Sequence, residues 1–215
     1  MPGRGGRATE HRRLIAAVLA EAERQGWQGF QMREAARRGR VSAARLRAHF
    51  AHKEDAADAW LAEADEAMLD AASRWEDAEP AARLTGTLLA WLDHLALHRR
   101  VAAQIFAGRL YPFHPHDVVR QILWVSRTVQ WWREAAGQNA PFPRRQAEEV
   151  ALTWIFAATI ARWSVDASPG QQRTRDFLAR ALRMAGLASR AASRATARVR
   201  HARARRSRTP RPRRG

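Results

Sequence analysis

The chain has 215 residues, a formal net charge of +17, 46% apolar residues and no cysteine. That length and apolar content provide for a real core in one sizeable domain or two small ones, and the missing cysteine excludes disulfides, thiol catalysis and cysteine-ligated zinc. No stretch approaches the ~18 consecutive apolar residues of a membrane-spanning helix. The basic N-terminus MPGRGGRATEHRR lacks the apolar run and cleavage site of a secretory signal, so a cytoplasmic protein with no membrane span is expected.

Strand signals are almost absent and helical periodicity runs throughout, which predicts an all-α fold. A first helix over about 9–25 places Leu14, Ile15, Val18, Leu19 and Ala22 on one face and ends at Gly26. Two short helices follow, over about 32–38 and 42–48. Ser42 is a polar N-cap for the second of these, with Leu46 and Phe50 facing inward and Arg45, Arg47 and His49 outward. A sharp break carries Lys53, the chain's only lysine, and leads into a fourth helix over about 52–75 that buries Trp60, Leu61, Ala64, Met68 and Leu69. Pro80 opens a fifth, with Leu84, Leu88, Trp91, Leu92 and Leu95 at helical spacing.

A shorter helix over about 101–110 precedes the break YPFHPHD. The segment 117–136 then puts Val118, Ile122, Val125, Val129 and Trp132 on one stripe and Trp124 and Trp131 on another. After QNAPFP comes a helix over about 144–163, and Ser168 and Pro169 cap a last one to about 185, carrying Phe177, Leu178, Ala181 and Leu182. From 188 onward the chain is Ala, Arg, Ser and Pro with almost no core material, and disorder is expected.

The charge follows this division. Residues 1–55 carry twelve Arg or Lys against six acids, 56–188 carry fifteen against fifteen, and 189–215 carry eleven Arg and no acid. A polyanion would be met by the ends of the chain while the neutral middle does something else.

A tight turn followed by a short amphipathic helix with a polar N-cap and a basic outer face is the build of a helix-turn-helix reader. Residues 12–60 resemble the TetR/AcrR family of transcriptional repressors. Gly26 with Trp27, then Phe30, Met32, Arg33, Ala36, Val41 with Ser42, Leu46, His49 with Phe50, and Lys53 fall at that family's landmark positions. The resemblance implies a third helix in the DNA major groove and Lys53 on a phosphate at the start of the fourth, where a helix N-terminus also favours an anion.

Three positions depart from the pattern: Arg47 replaces a phosphate-contacting tyrosine, Gln31 a capping serine or threonine, and Gly39-Arg40 an alanine-glycine turn. Arg47 can hold a phosphate itself. Ala43 and Ala44 offer base edges no hydrogen bonds, so readout leans on Arg45, Arg40 and His49. The expected DNA-contacting set is Arg33, Arg40, Ser42, Arg45, Arg47, His49 and Lys53. The competing reading is a three-helix bundle that kept the fold and lost DNA.

The resemblance further implies three domains: a helix-turn-helix domain over 1–55, an effector-binding and dimerisation domain of about six helices over 56–187, and the disordered tail over 188–215. The protein would then be a ligand-responsive repressor that binds double-stranded DNA as a homodimer and answers to an apolar or aromatic small molecule. Its pocket would be walled by Trp91, His94, His98, Phe106, Trp124, Trp131 and Trp154. Its seam would pair the last two helices with their copies through Leu152, Ile155, Phe156, Thr159, Ile160, Trp163, Phe177 and Leu178. The run ARWSVDASPGQQRTRDFLARAL is also similar to ubiquinone-biosynthesis proteins that bind a lipid or quinone precursor on the same architecture without acting as repressors. Those proteins tend to lack the phosphate-contact lysine, so Lys53 and the basic first 55 residues favour the regulator.

The ordinary readings stand beside these. Any single tryptophan is more often core or seam than pocket wall. His94 and His98 lie one turn apart, with His114 and His116 in the following loop, but nothing completes a four-ligand set, so no metal and no cofactor is expected. There is no Gly-rich phosphate loop and no nucleophile elbow, and the adjacent Glu148 and Glu149 read as solvent-facing, which makes the chain a non-enzyme. The tail reads as a flexible polycation that adds non-specific phosphate affinity, or as an idle solvated extension.

Overall fold

The computed structural model describes residues 4–109, 115–138, 142 and 144–207. Among the described residues there is no strand, as the periodicity predicts. The helices are α1 (Arg4–Gln25), α2 (Met32–Arg38), α3 (Ala43–His49), α4 (Lys53–Asp70), α5 (Pro80–Ala96), α6 (Arg99–Arg109), α7 (Pro115–Ala135), α8 (Arg144–Val165) and α9 (Gln172–Ser207). Single 3-10 turns lie at Ala72–Trp75 and Pro169–Gln171.

In α1 the predicted face is the buried one: Leu14, Ile15, Val18, Leu19 and Ala22 pack under α2 and α3 with Trp27, Phe30, Leu46 and Phe50. Glu21 is also buried there, and its carboxylate accepts from Arg24 at 2.9 Å and from Arg38 at 2.6 Å, tying α1 to α2. These bonds, that from Arg24 foremost, hold its pKa down to about 2.

The body is a stack of helices that run alternately away from this head and back. The outgoing α4 starts at Lys53, and α5 returns beside it. At the near end α6 clasps α1: the Trp27 N–H donates to Gln104 Oε1 at 2.6 Å, and Arg100 donates to the Glu23 carbonyl. At the far end, α7 arrives with Trp132 Nε1 donating to the Leu84 carbonyl at 2.9 Å, near the start of α5. There α8 begins, with Arg133 on Glu149 at 2.7 Å, and it ends at Asp166, whose carbonyl accepts from Arg99. Asp166 then caps α9 through the N–H of Thr174 at 2.8 Å and its hydroxyl at 2.7 Å, and Arg175 reaches back to Asp93.

Four expectations are corrected. Residues 188–207 continue α9 as helix, although no core material requires it; alanine and arginine are among the strongest helix formers, and extending a helix already nucleated costs little. The fourth helix stops at Asp70 and Leu69 is exposed. The expected dimer stripe is interior: Phe156, Thr159, Trp163 and Leu178 are 0% exposed within the single chain, Leu152 and Ile160 are buried, and Ile155 and Phe177 partly so. Two apolar stripes run along α8, and the stronger one packs against α6, α7 and α9. The weaker, alanine-diluted stripe faces out, with Val150, Trp154, Ala158, Ala161 and Val165 exposed. Finally, Trp131 and Trp154 lie at the surface and line no interior wall. His114 and the side chains of His116, Val118 and Ile122 lie outside the described residues.

Candidate nucleic-acid interface

Ser42 Oγ accepts the Arg45 N–H at 3.1 Å, the N-cap its sequence position predicts, and starts α3 cleanly. Leu46 and Phe50 sink into the head, leaving Ala43, Ala44, Arg45, Arg47 and Ala48 on the outer side. The turn into α3 is built in an unusual way. Arg40 has a φ of +53°, the left-handed conformation that glycine normally supplies, whereas Gly39 at φ −70° is needed for a different reason. A Cβ on Gly39 would lie 2.7 Å from the Ala17 side chain, so the missing side chain lets α2 close onto α1.

The seven expected contact residues divide by their partners. Arg40 and Arg47 are exposed, with no ion-pair partner among the described residues. Arg33 is exposed beside its neighbour Glu34 at a loose 3.8 Å. Arg45 Nε donates to Glu10 of α1 at 2.5 Å, and His49 Nε2 stands 3.9 Å from the same carboxylate. The hydrogen bond from Arg45 lowers the Glu10 pKa from the ordinary carboxylate range. Arg33, Arg47, Met32, Ala43, Leu46, Phe50 and Ala51 border one shallow depression between α2 and α3.

Lys53 is less free than its position suggested. Its Nζ donates to the Trp27 carbonyl at 3.1 Å and lies 5.9 Å and 5.8 Å from the ring centres of Trp27 and Phe30. The Trp27 peptide is thereby gripped on both sides, by Gln104 on its N–H and by Lys53 on its carbonyl. Glu10 and Gln104 were not legible as site residues. Their partners lie 35 and 77 residues away, and neither belongs to a local motif.

Of the expected pocket residues, Trp91, Phe106 and Trp124 do come together. Trp91 stacks on Phe106 with ring centres 6.0 Å apart, and Phe106 on Trp124 at the same spacing. Phe156, Trp132 and Trp163 extend the cluster within 6.5 Å. Two polar features border it that periodicity did not single out. Trp91 Nε1 donates to Asp65 at 2.8 Å, and burial raises the Asp65 pKa. On α7, one turn from Trp124 and one from Trp132, Thr128 is 0% exposed and its hydroxyl has no hydrogen-bond partner among the described residues. His94 and His98 turn instead toward Glu63 at 3.8 Å and Glu23 at 3.4 Å.

Among the described residues, no helix is long and apolar enough to cross a membrane. No protein-family model matches the sequence, and no curated protein does. Solved structures do. A TetR transcriptional regulator from Nitrosomonas europaea is 33% identical, over 83% of this chain and 99% of that one, with a TM-score of 0.74. Two regulators from Rhodococcus sp. RHA1 share the fold at 16% and 21% identity, with TM-scores of 0.58 and 0.51. With the reading head, the helical body and this degree of identity together, the chain belongs to the TetR family of transcriptional regulators.

Proposed function

We propose that the protein is a homodimeric repressor whose α2–α3 surface holds operator DNA and whose body binds an apolar or aromatic effector that releases it. The observation that carries the reading is the pair of cations with no ion-pair partner among the described residues, Arg40 and Arg47, on the outer side of a properly capped α3, with Arg33 beside them. Exposed guanidinium groups at such positions meet phosphates, while Arg45, held by Glu10, would be the arginine that reaches base edges. The outward stripe of α8, with Met184 and Leu187 of α9, supplies the seam in place of the residues first expected. The aromatic cluster beside Asp65 and the Thr128 hydroxyl supports an effector with a flat apolar body and one hydrogen-bonding group.

The test is selection of genomic fragments on the purified protein, followed by footprinting. A protected pair of half-sites spaced by about one helical turn or a multiple is the expected result. Equal retention of all duplexes would remove the repressor reading. Purified protein carrying an apolar small molecule and ignoring DNA would point to the lipid-binding alternative.

A further inference from the structure

The C-terminal half of α9 takes no part in the reading above, yet it is the most highly charged element of the chain. After Leu178 and Leu182 the helix leaves the core, and its side chains from Arg190 to Arg194 are exposed. Residues 190–207 contain seven Arg, one His and no acid. At a rise of 1.5 Å per residue this is about one positive charge per 4 Å of helix, close to the ~3.4 Å spacing of phosphates along one DNA strand. In the sequence, Arg or His recurs at 190, 194, 198, 201 and 205, a spacing of three or four residues that matches the helical repeat.

The direction of the arm is as informative as its charge. The start of α9 lies at the near end of the body, where Arg175 meets Asp93 and Asp166 meets Arg99. Running back along α8, it points away from α2–α3. Its 36 residues make a rod of about 54 Å. A duplex seated on the head has a persistence length of ~500 Å and cannot fold back over that distance.

We propose that the α9 arm is a second nucleic-acid-binding element. It would grip the phosphate backbone of a duplex other than the one under α2–α3, so that one protein bridges two DNA segments. The proposal rests on α2–α3 holding DNA. A membrane surface fits the arm poorly, because an interfacial helix needs an apolar face, and Val199 is the largest apolar residue between 190 and 207.

The test immobilises a duplex that the head selects, loads the protein, and measures capture of a labelled duplex of scrambled sequence. The wild-type chain should capture it, with steep loss as salt rises. A full-length variant with Arg194, Arg198, Arg200, Arg203, Arg205 and Arg206 changed to Gln keeps helix-forming residues throughout. It should hold the first duplex and lose at least tenfold in capture of the second, with circular dichroism confirming its fold and light scattering excluding aggregates. Capture by the Gln variant equal to wild type, or no capture by wild type, would overturn the proposal. So would an arm that binds single-stranded RNA or phosphatidylserine vesicles but no duplex. If the head selects no duplex at all, its own reading fails separately; comparing random-duplex affinity of wild type and the Gln variant then scores the arm alone, and equal affinity overturns it.

Discussion

Arg40 holds a backbone conformation that costs a non-glycine residue about 1–2 kcal/mol, because its Cβ crowds the following carbonyl. Arg40→Gly should therefore stabilise the head by about 1 kcal/mol while weakening DNA binding through the lost charge. Thermal unfolding and fluorescence anisotropy read the two effects separately, and a lower Tm would refute the strain. Arg47, exposed and without an ion-pair partner among the described residues, is the simpler case. Arg47→Ala should weaken all sequences alike and reduce the salt slope by about one per protomer, with stability unchanged. Lys53 differs because its ammonium sits on the Trp27 carbonyl. Lys53→Ala should reduce the slope in the same way but also destabilise the head, so a salt titration alone does not describe it. Glu10→Gln frees Arg45 from its partner. Affinity for random DNA should rise while the ratio of operator to random binding falls; an unchanged ratio would mean that Glu10 does not aim Arg45.

At the scale of elements, α1 and α2 are joined by one buried carboxylate. Glu21 has a folded pKa of about 2, below its ordinary value of 4.5, so its contribution is fully present above pH ~4.5 and is lost as the pH falls toward 2. In Glu21→Gln that part of the acid sensitivity should disappear, at a cost of about 1–3 kcal/mol near neutral pH from the charged hydrogen bonds removed. Chemical denaturation at pH 3 and pH 7 checks both statements; an equal pH dependence in the two proteins would contradict them. The two faces of α8 give a paired prediction. Trp163 is wholly buried with Nε1 on Gln171 at 2.7 Å, so Trp163→Arg should unfold the body. Trp154 is 72% exposed, so Trp154→Arg should leave the fold intact and turn a dimer into a monomer. Light scattering that finds Trp154→Arg still dimeric would move the seam to another face.

Across the whole molecule, the head and the body meet in a small set of contacts. Gln104 and Lys53 hold opposite sides of the Trp27 peptide, and Arg100 holds the Glu23 carbonyl nearby. On the same helix as Gln104, Phe106 belongs to the aromatic cluster. A shift of α6 that accommodates an effector would therefore be felt directly at the junction from which α2 and α4 spring. Gln104→Met, similar in shape but unable to accept the Trp27 N–H, should leave operator affinity within a few-fold and remove most of the effector's influence on it. Allosteric couplings of this kind are typically worth about 1–3 kcal/mol. An effector response equal to that of wild type would show that the coupling runs through other contacts.

Helix existence, the inward faces of α1 and α5, that of α4 apart from Leu69, the cap at Ser42 and the positions of the head's cations were legible in the sequence. They depend on spacing within a few residues, where period and propensity speak directly. Residue 188 marked a real change in composition, but composition could not say whether an alanine- and arginine-rich segment would be coil or the continuation of a helix begun in the core. Tertiary structure alone decided which side of α8 is interior. Both sides are apolar, and only the arrival of α6, α7 and α9 on one of them buries Trp163 and leaves Trp154 in solvent. It also decided that Glu10 reaches Arg45 and that Gln104 and Lys53 share one peptide, because contacts across 26 to 77 residues leave no local pattern to read. The direction of the basic arm, away from the reading head, follows from the order in which helices run out and back, which no stretch of sequence contains by itself.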